Sequence, residues 1–306
     1  MITSQIPEVK RENPKVPGIS PATIVEVGKT STEELTISVQ KTWSEHRDLL
    51  DKYHQVWYNA NHTWPYTHFL GIGMMKCPND LWIYQAIMTE LRPTTIIETG
   101  TYQGASALWF AYLMDMLGIK GGKVITVDFE DHRVNPQVLH PRITYLGGNS
   151  VDPKLVEAVK EQIVPGPMLI CLDSDHSEKH VRTELDLYAP LTKPGDWLIV
   201  EDTNIGWSDT TDHTVTFNGD IGRCSCGMKF LVFEELREKV KPEDLEKALR
   251  RTKCPVDRTD RGARGGLMTY MEDHPGEFRQ DVLSERYLLT MNPGGWLQRV
   301  GECSHG

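Results

Sequence analysis

The sequence predicts a doubly wound α/β fold around a mostly parallel sheet, preceded by a helical extension. From Thr94 onward, short β-branched or apolar runs alternate with helical patterns, the signature of successive βαβ units. The runs Ile96-Ile97 and Leu169-Ile170-Cys171-Leu172 are continuously apolar, as strands covered on both faces must be. Three of the expected strands also end in carboxylates, at Glu98, at Asp173 and at Glu201-Asp202.

Taken in order, residues 1 to about 35 are rich in Pro, Ser, Thr and Glu and read as a loosely structured arm. Ile37, Val39, Trp43, Leu49, Leu50, Tyr53, Val56 and Trp57 recur near helical spacing and predict one amphipathic helix. This divides the chain into an N-terminal arm and helix, residues 1–60, suited to a lid or an oligomer contact, and a main domain, residues 61–306. Trp57 to Trp82 is dense in aromatics, Gly and Pro. It reads either as a wall or lid of a substrate pocket or as a packed loop over the sheet edge. Asn79 is expected to cap a helix over Asp80–Leu91, stopped by Pro93.

The strand candidates are Thr94–Glu98, Lys123–Phe129, Arg142–Leu146, Met168–Asp173 and Trp197–Asp202. The helices between them are Ala105–Leu117, Pro153–Gln162 and Glu178–Leu187. A polar loop is expected over Thr203–Gly227, then helices over Met228–Val240 and Pro242–Arg251, and a late strand over Tyr287–Met291.

Bulk properties narrow the function. The chain has 306 residues, 39% of them hydrophobic and 25% charged, as ordinary globular proteins do. No apolar run approaches the roughly 20 residues that span a bilayer. Met1 to Lys15 lacks the apolar stretch of a signal peptide, so a cytoplasmic protein is expected. The 43 acidic and 33 basic residues give a net charge of −10, which argues against a nucleic-acid partner. The six cysteines are scattered. Cys224, Cys226 and Cys254 with His274 match no standard zinc spacing.

The turn Glu98-Thr99-Gly100-Thr101-Tyr102-Gln103-Gly104 departs from a dinucleotide fingerprint, because its glycines are four apart and an acidic residue ends the strand. An acidic strand end repels a diphosphate and suits a cationic ligand such as S-adenosylmethionine. Asp128, at the end of the second strand, is placed to accept ribose hydroxyls. Gly148, Asn149 and Ser150 are placed to line the adenine region, and Thr101 and Ser106 flank the turn. The carboxylates Asp173, Glu201 and Asp202 leave the sheet on one side, where hard oxygen ligands suit Mg²⁺ or another divalent cation. Asp175 is an alternative to Asp173; Asp173 is preferred because it continues the apolar strand directly. His176 is placed to take a proton from a substrate hydroxyl, whereas His180 reads as a helix-face residue.

With these residues assembled, the chain resembles the cephalosporin hydroxylase family, related to the macrolide-sugar and rhamnosyl O-methyltransferases. The resemblance rests on Lys76-Cys-Pro-Asn-Asp80, Ile97-Glu-Thr-Gly-Thr101, Leu172-Asp-Ser-Asp-His176, Val200-Glu-Asp-Thr203 and Leu289-Thr-Met-Asn-Pro-Gly-Gly-Trp-Leu297. It implies a Rossmann-like, seven-stranded class I methyltransferase sheet, bound S-adenosylmethionine and Mg²⁺. Glu98, Gly100, Asp128 and Asp173 would sit at the cofactor, Asp173, Glu201 and Asp202 at the metal, and His176 would be the general base. It further implies a homo-oligomer acting on a small hydroxylated acceptor: a sugar, a polyketide or an aromatic. Metal-dependent catechol-type relatives place a lysine near His176, which this chain is expected to lack. Two other readings compete. One is an iron oxygenase built on His176, Glu178 and His213. The other is a non-catalytic, methyltransferase-like subunit.

Overall fold

The structure is a computed structural model. It describes residues 31–60, 62–129, 138–205 and 261–301, and the backbone of three short strands between 215 and 231.

Among the described residues, the one amphipathic helix expected over Ile37–Trp57 is two helices. Ser31 opens α1 (Thr32–Glu45) with a capping box: its hydroxyl accepts from the Glu34 N–H, and the Glu34 carboxylate accepts from the Ser31 N–H. The chain then breaks at His46 and resumes as α2 (Arg47–Asn59). Leu35, Ile37, Leu49, Tyr53 and Val56 are exposed, so the apolar stripe predicted here is largely not buried within the chain. The helices dock at a few points. The Trp43 indole N–H donates to Glu285 O at 3.2 Å, and Tyr58 stacks on Trp64 with ring centroids 5.3 Å apart.

A two-stranded hairpin of β1 (His68–Phe69) and β2 (Ile72–Gly73) leads to α3 (Pro78–Leu91). Pro78 occupies the first turn, where its missing N–H costs nothing, and Cys77 is the N-cap. Asn79 therefore lies inside the helix, where its amide donates to Leu289 O.

The main sheet has seven strands: β3 (Thr95–Thr99), β4 (Lys123–Asp128), β5 (Ile143–Gly147), β6 (Met168–Leu172), β7 (Trp197–Val200), β11 (Phe278–Gln280) and β12 (Trp296–Arg299). Their order is β11-β12-β7-β6-β3-β4-β5. Strands β3 to β7 are mutually parallel, and β12 runs antiparallel between β7 and β11. The strand order reverses between β3 and β6. In an open α/β sheet that is the topological switch point, where ligands bind at the carboxyl ends. Alternate residues feed two cores. Ile97, Ile170, Leu172, Leu198 and Val200 face α5 (Pro153–Lys160), α6 (Glu178–Tyr188) and α7 (Gly262–Asp273). Ile96, Leu169, Cys171 and Ile199 face α3 and α4 (Ala105–Met116). The sheet is doubly wound, as expected.

Past β7 the sequence reading departs from the structure. The expected loop contains β8 (Val215–Asn218) and β9 (Ile221–Cys224), and β10 (Lys229–Leu231) replaces the start of an expected helix. The remainder of those two expected helices, Met228–Val240 and Pro242–Arg251, lies outside the described residues. Tyr287–Met291 is not a strand. Tyr287 is exposed, Leu289, Thr290 and Met291 are buried, and the Met291 N–H donates to Asp80 Oδ2 at 2.9 Å. Among the described residues no helix is long and apolar enough to cross a membrane.

Candidate active site

Register brings the site together. Thr99 pairs with Leu172, and Leu172 with Val200, so Gly100, Asp173 and Glu201 leave the sheet side by side. Gly100 has φ +88°, and an added Cβ would overlap the backbone oxygen of Asp173. The Asp173 N–H in turn donates to Thr99 O at 3.0 Å. The glycine thus serves a close backbone approach, but to the neighbouring strand end.

At the mouth stand Asp173, His176 and Asp202, all partly exposed. His176 Nε2 lies 3.2 Å from Asp202 Oδ2 and 3.9 Å from Asp173 Oδ1. One ligand atom from each residue falls within 4.8 Å of the other two. Asp202 adopts φ +56°, a conformation an aspartate tolerates better than most residues, and its N–H is held by Asn292 Oδ1 at 2.9 Å. This set of two carboxylates and one imidazole, partly open to solvent, has the chemistry of a divalent-cation site. Burial alone would push the His176 imidazole down, but Asp202 and then Asp173 outweigh it and carry its pKa above the usual range.

Glu201 is not at the mouth. It is buried, and its Oε1 accepts from the Lys76 ammonium at 2.8 Å and from the Tyr84 hydroxyl. Glu201 was expected with Asp173 and Asp202 on a cation; in this structure its carboxylate faces Lys76 and Tyr84. Lys76 Nζ also lies 2.6 Å from Asp173 Oδ2. This buried lysine comes from the β2–α3 connection, 97 residues before Asp173. A lysine does stand near the site, which the sequence reading placed nowhere. Burial would lower its pKa, but Asp173, Cys171 and Glu201 raise it well above the ordinary value, so it stays charged. Burial pushes Asp173 up to about 7 against the pull of Lys76. For Glu201 burial acts in the same direction, but Lys76 and Tyr84 win and hold it below the usual range.

Along the expected cofactor side, Glu98 has no exposed surface. Its Oε2 accepts from the Thr126 hydroxyl at 2.7 Å, which leaves the Thr101 hydroxyl to donate to Thr126 at 2.7 Å. Glu98 is a buried charge beneath the turn rather than an accessible ligand, and burial raises its pKa. Asp128 Oδ2 accepts from the Tyr102 N–H at 2.7 Å, which orients it at the end of β4. Ser106 is buried in the first turn of α4. Gly148 (φ +148°) passes over Leu155, and Asn149 Oδ1 accepts from the Val151 N–H. Ser150 is buried. Its hydroxyl lies 3.0 Å from His180 Nε2, and Ser174, which donates to Glu184, lies 3.1 Å from the same nitrogen. His180 is therefore tied into a buried network and is not a bare helix-face residue.

The comparisons bear on this geometry. Residues 61–220, just over half the chain, match the family model described as rhamnosyl O-methyltransferase/CmcI. The chain belongs to the rhamnosyl O-methyltransferase/CmcI family. It is 39% identical over 160 residues to a rhamnosyl O-methyltransferase of Mycobacterium tuberculosis (strain ATCC 25618 / H37Rv), covering 51% of this chain and 64% of the relative. It is 38% identical over 159 residues to the rhamnosyl O-methyltransferase of Mycobacterium leprae (strain TN), covering 51% and 69%. The chain thus spans less than two thirds of the length of the Mycobacterium tuberculosis relative. Among solved structures it is similar to CmcI-D160 with Mg and SAM, at 20% identity over 80% of this chain and 84% of that one, with a TM-score of 0.48.

In this member of the rhamnosyl O-methyltransferase/CmcI family, the matched segment contains Lys76, Glu98, Asp128, Asp173, His176, Glu201 and Asp202, while Asn292 lies outside it. Asp175 is exposed, and its Oδ1 accepts from the Ser177 N–H at 2.8 Å, so it shapes the entry to α6 and does not join the cluster. The Glu178 carboxylate is held by Arg261, away from His176, so the His176–Glu178–His213 set is not assembled among the described residues; the side chain of His213 lies outside them. Lys76, Tyr84 and Asn292 were missed as site residues. Two of them lie in resemblance motifs, Lys76 in Lys76-Cys-Pro-Asn-Asp80 and Asn292 in Leu289-Thr-Met-Asn-Pro-Gly-Gly-Trp-Leu297, and nothing signalled Tyr84.

Proposed function

We propose that this chain is an S-adenosylmethionine-dependent O-methyltransferase acting on a hydroxyl of a small, sugar-like acceptor, with a divalent cation at Asp173 and Asp202. The observation that carries the reading is the meeting of Asp173, His176 and Asp202 beside the Gly100 turn in a chain of this family. The two carboxylates fit Mg²⁺ in donor chemistry, and the imidazole stands beside them. The buried charge of Glu98 and the oriented Asp128 suit a cationic, phosphate-free nucleoside ligand at the neighbouring strand ends.

S-adenosylmethionine supplies an activated methyl group, and a divalent cation lowers the pKa of a hydroxyl held beside it. The chain's own residues do the rest. Asp128 orients the ribose, and the Gly100 turn keeps the donor close to Asp173. His176 takes the hydroxyl proton at Nε2, and Asp202, 3.2 Å away, stabilises the imidazolium that results. The bound cofactor would supply the methyl group to that oxygen and would be left as a neutral thioether. A second reading makes His176 a third cation ligand, favoured by the ligand-range spacing of its Nε2 to both carboxylates.

The deciding test is methyl transfer from labelled S-adenosylmethionine to a panel of rhamnosides, with Mg²⁺ and with EDTA. Transfer that requires Mg²⁺ supports the reading. Calorimetry showing no affinity for S-adenosylmethionine or S-adenosylhomocysteine would sink it in favour of a non-catalytic subunit.

A further inference from the structure

The strands that lead to Ser150 and Ser174 are not neighbours, because β3 and β4 lie between β5 and β6 in the sheet. Past the strand ends the two serines nevertheless meet. Their hydroxyls are 3.4 Å apart, and one imidazole nitrogen, His180 Nε2, lies 3.0 Å from Ser150 Oγ and 3.1 Å from Ser174 Oγ. From the same helix, α6, the Tyr188 hydroxyl donates to Ser150 O at 3.0 Å. Glu184 has no exposed surface. Its Oε1 accepts from the Ser174 hydroxyl at 2.7 Å, and its Oε2 has no partner among the described residues. A buried carboxylate left half satisfied is costly, and no step of the methyl transfer above uses it.

Counting protons fixes the directions of these bonds. A carboxylate only accepts, so the Ser174 proton lies on Glu184. Ser174 therefore turns a lone pair towards His180, and Nε2 must carry a hydrogen, because two lone pairs facing at 3.1 Å repel. That N–H is shared by Ser150 and Ser174. Ser150 thus accepts from His180, and its own proton is left over. Ser174 Oγ, at 3.4 Å, is too distant to hold it well. Ser150 follows β5, the neighbour of β4, at whose end Asp128 takes the ribose in the reading above. A base carried by that ribose presents ring nitrogens, which accept.

We propose that His180 is a positioning residue for the cofactor: with Ser174 and Glu184 it aims the Ser150 hydroxyl proton outward, at a ring nitrogen of the adenine. The proposal rests on the S-adenosylmethionine reading above. Glu184 fixes the Ser174 proton, Ser174 fixes the His180 proton, and His180 bars Ser150 from donating inward. The base is then met by one directed donor instead of a hydroxyl free to rotate.

The test is calorimetric binding of S-adenosylhomocysteine and of its 1-deaza, 3-deaza and 7-deaza analogues, each with one accepting ring nitrogen replaced by C–H. The proteins are the wild type, S150A, H180F and S174A. The wild type is expected to bind one analogue about three- to tenfold more weakly than the parent, the loss of one hydrogen bond. S150A should bind the parent and that analogue alike, to within about twofold. In H180F and S174A the Ser150 hydroxyl is present but undirected, so the ratio should also fall to about twofold or less. A merely structural role for His180 would weaken all the ligands by a common factor and keep the ratio. Retention of the wild-type ratio in H180F or in S174A overturns the proposal, as does a wild type that binds every analogue as well as the parent. Both results leave the cofactor reading standing. No binding of S-adenosylhomocysteine by the wild type overturns both. If H180F does not fold, S174A decides by the same ratio, since it removes a single hydroxyl.

Discussion

The Cβ that Gly100 lacks would fall on the backbone carbonyl oxygen of Asp173. Two neighbouring strand ends are locked together at that point, and one of them carries a carboxylate of the site. Gly100→Ala must therefore both force an alanine to φ +88° and push β3 from β6. We expect a loss of roughly 3 kcal/mol or more in unfolding free energy, read by denaturant melts, with weakened Mg²⁺ binding in whatever fraction stays folded. A variant as stable as the wild type would show that the two strand ends are not in contact.

How much of this was legible in advance depends on where each signal resides. The five parallel strands were found within two residues because each is a short, largely apolar or β-branched run with a sharp end; β3 and β6 are buried throughout, while β5 is only half-buried. The convergence of Asp173 with Asp202 followed from topology alone. The position of Lys76 did not, because nothing local distinguishes a lysine that folds back onto a strand from one in solvent. Helix α7 was unreadable for a related reason. Its Gly262, Gly265 and Gly266 look like a turn, yet a Cβ at Gly266 would strike the backbone of α6 at Glu178 and Arg182. Gly266 serves close helix packing, and Gly262 the approach of the chain at Ile205, which only the tertiary structure reveals.

Asp173→Asn and Asp202→Asn should each weaken Mg²⁺ binding by at least about tenfold, since each removes one charged oxygen ligand. Both should leave the melting temperature in EDTA near or above that of the wild type, because the neutral side chains relieve acidic repulsion. Unchanged Mg²⁺ affinity in both would remove the metal assignment.

His176→Gln separates the two roles open to this side chain. As the base, it should lose about 10²–10⁴-fold in turnover at neutral pH while Mg²⁺ affinity holds within about threefold. As a ligand, the same substitution should lower Mg²⁺ affinity first, and turnover should recover as Mg²⁺ is raised.

His180 carries a pH-dependent share of stability. The Glu184 carboxylate, 3.7 Å from its Nε2, raises its pKa above 6.5, with burial opposing. The folded state therefore binds the proton more tightly than the unfolded chain does. That stabilisation is fully present below the unfolded value and is lost as pH rises through the folded one. His180→Gln should melt below the wild type at acidic pH by a margin that shrinks above neutrality. A constant margin across that range would mean that the imidazole stays neutral in this network.

Asp80 titrates in the opposite chemical sense to most carboxylates. It is fully buried on α3, its Oδ2 accepts from the Met291 N–H, and burial, reinforced by Glu201, pushes its pKa up to about 8. An acid whose folded pKa exceeds its unfolded value stabilises the fold while protonated, and that contribution drains away as pH climbs from the unfolded value of 3.8 through 8. The wild type should therefore lose stability between about pH 4 and 8. Asp80→Asn keeps an oxygen for Met291 and never ionises, so its stability relative to the wild type should be higher at pH 9 than at pH 4 by at least roughly 1–3 kcal/mol. Urea melts at the two pH values measure the difference. A variant less stable than the wild type by the same amount at both would mean that Asp80 is ionised throughout, held by Lys76 across the helix start.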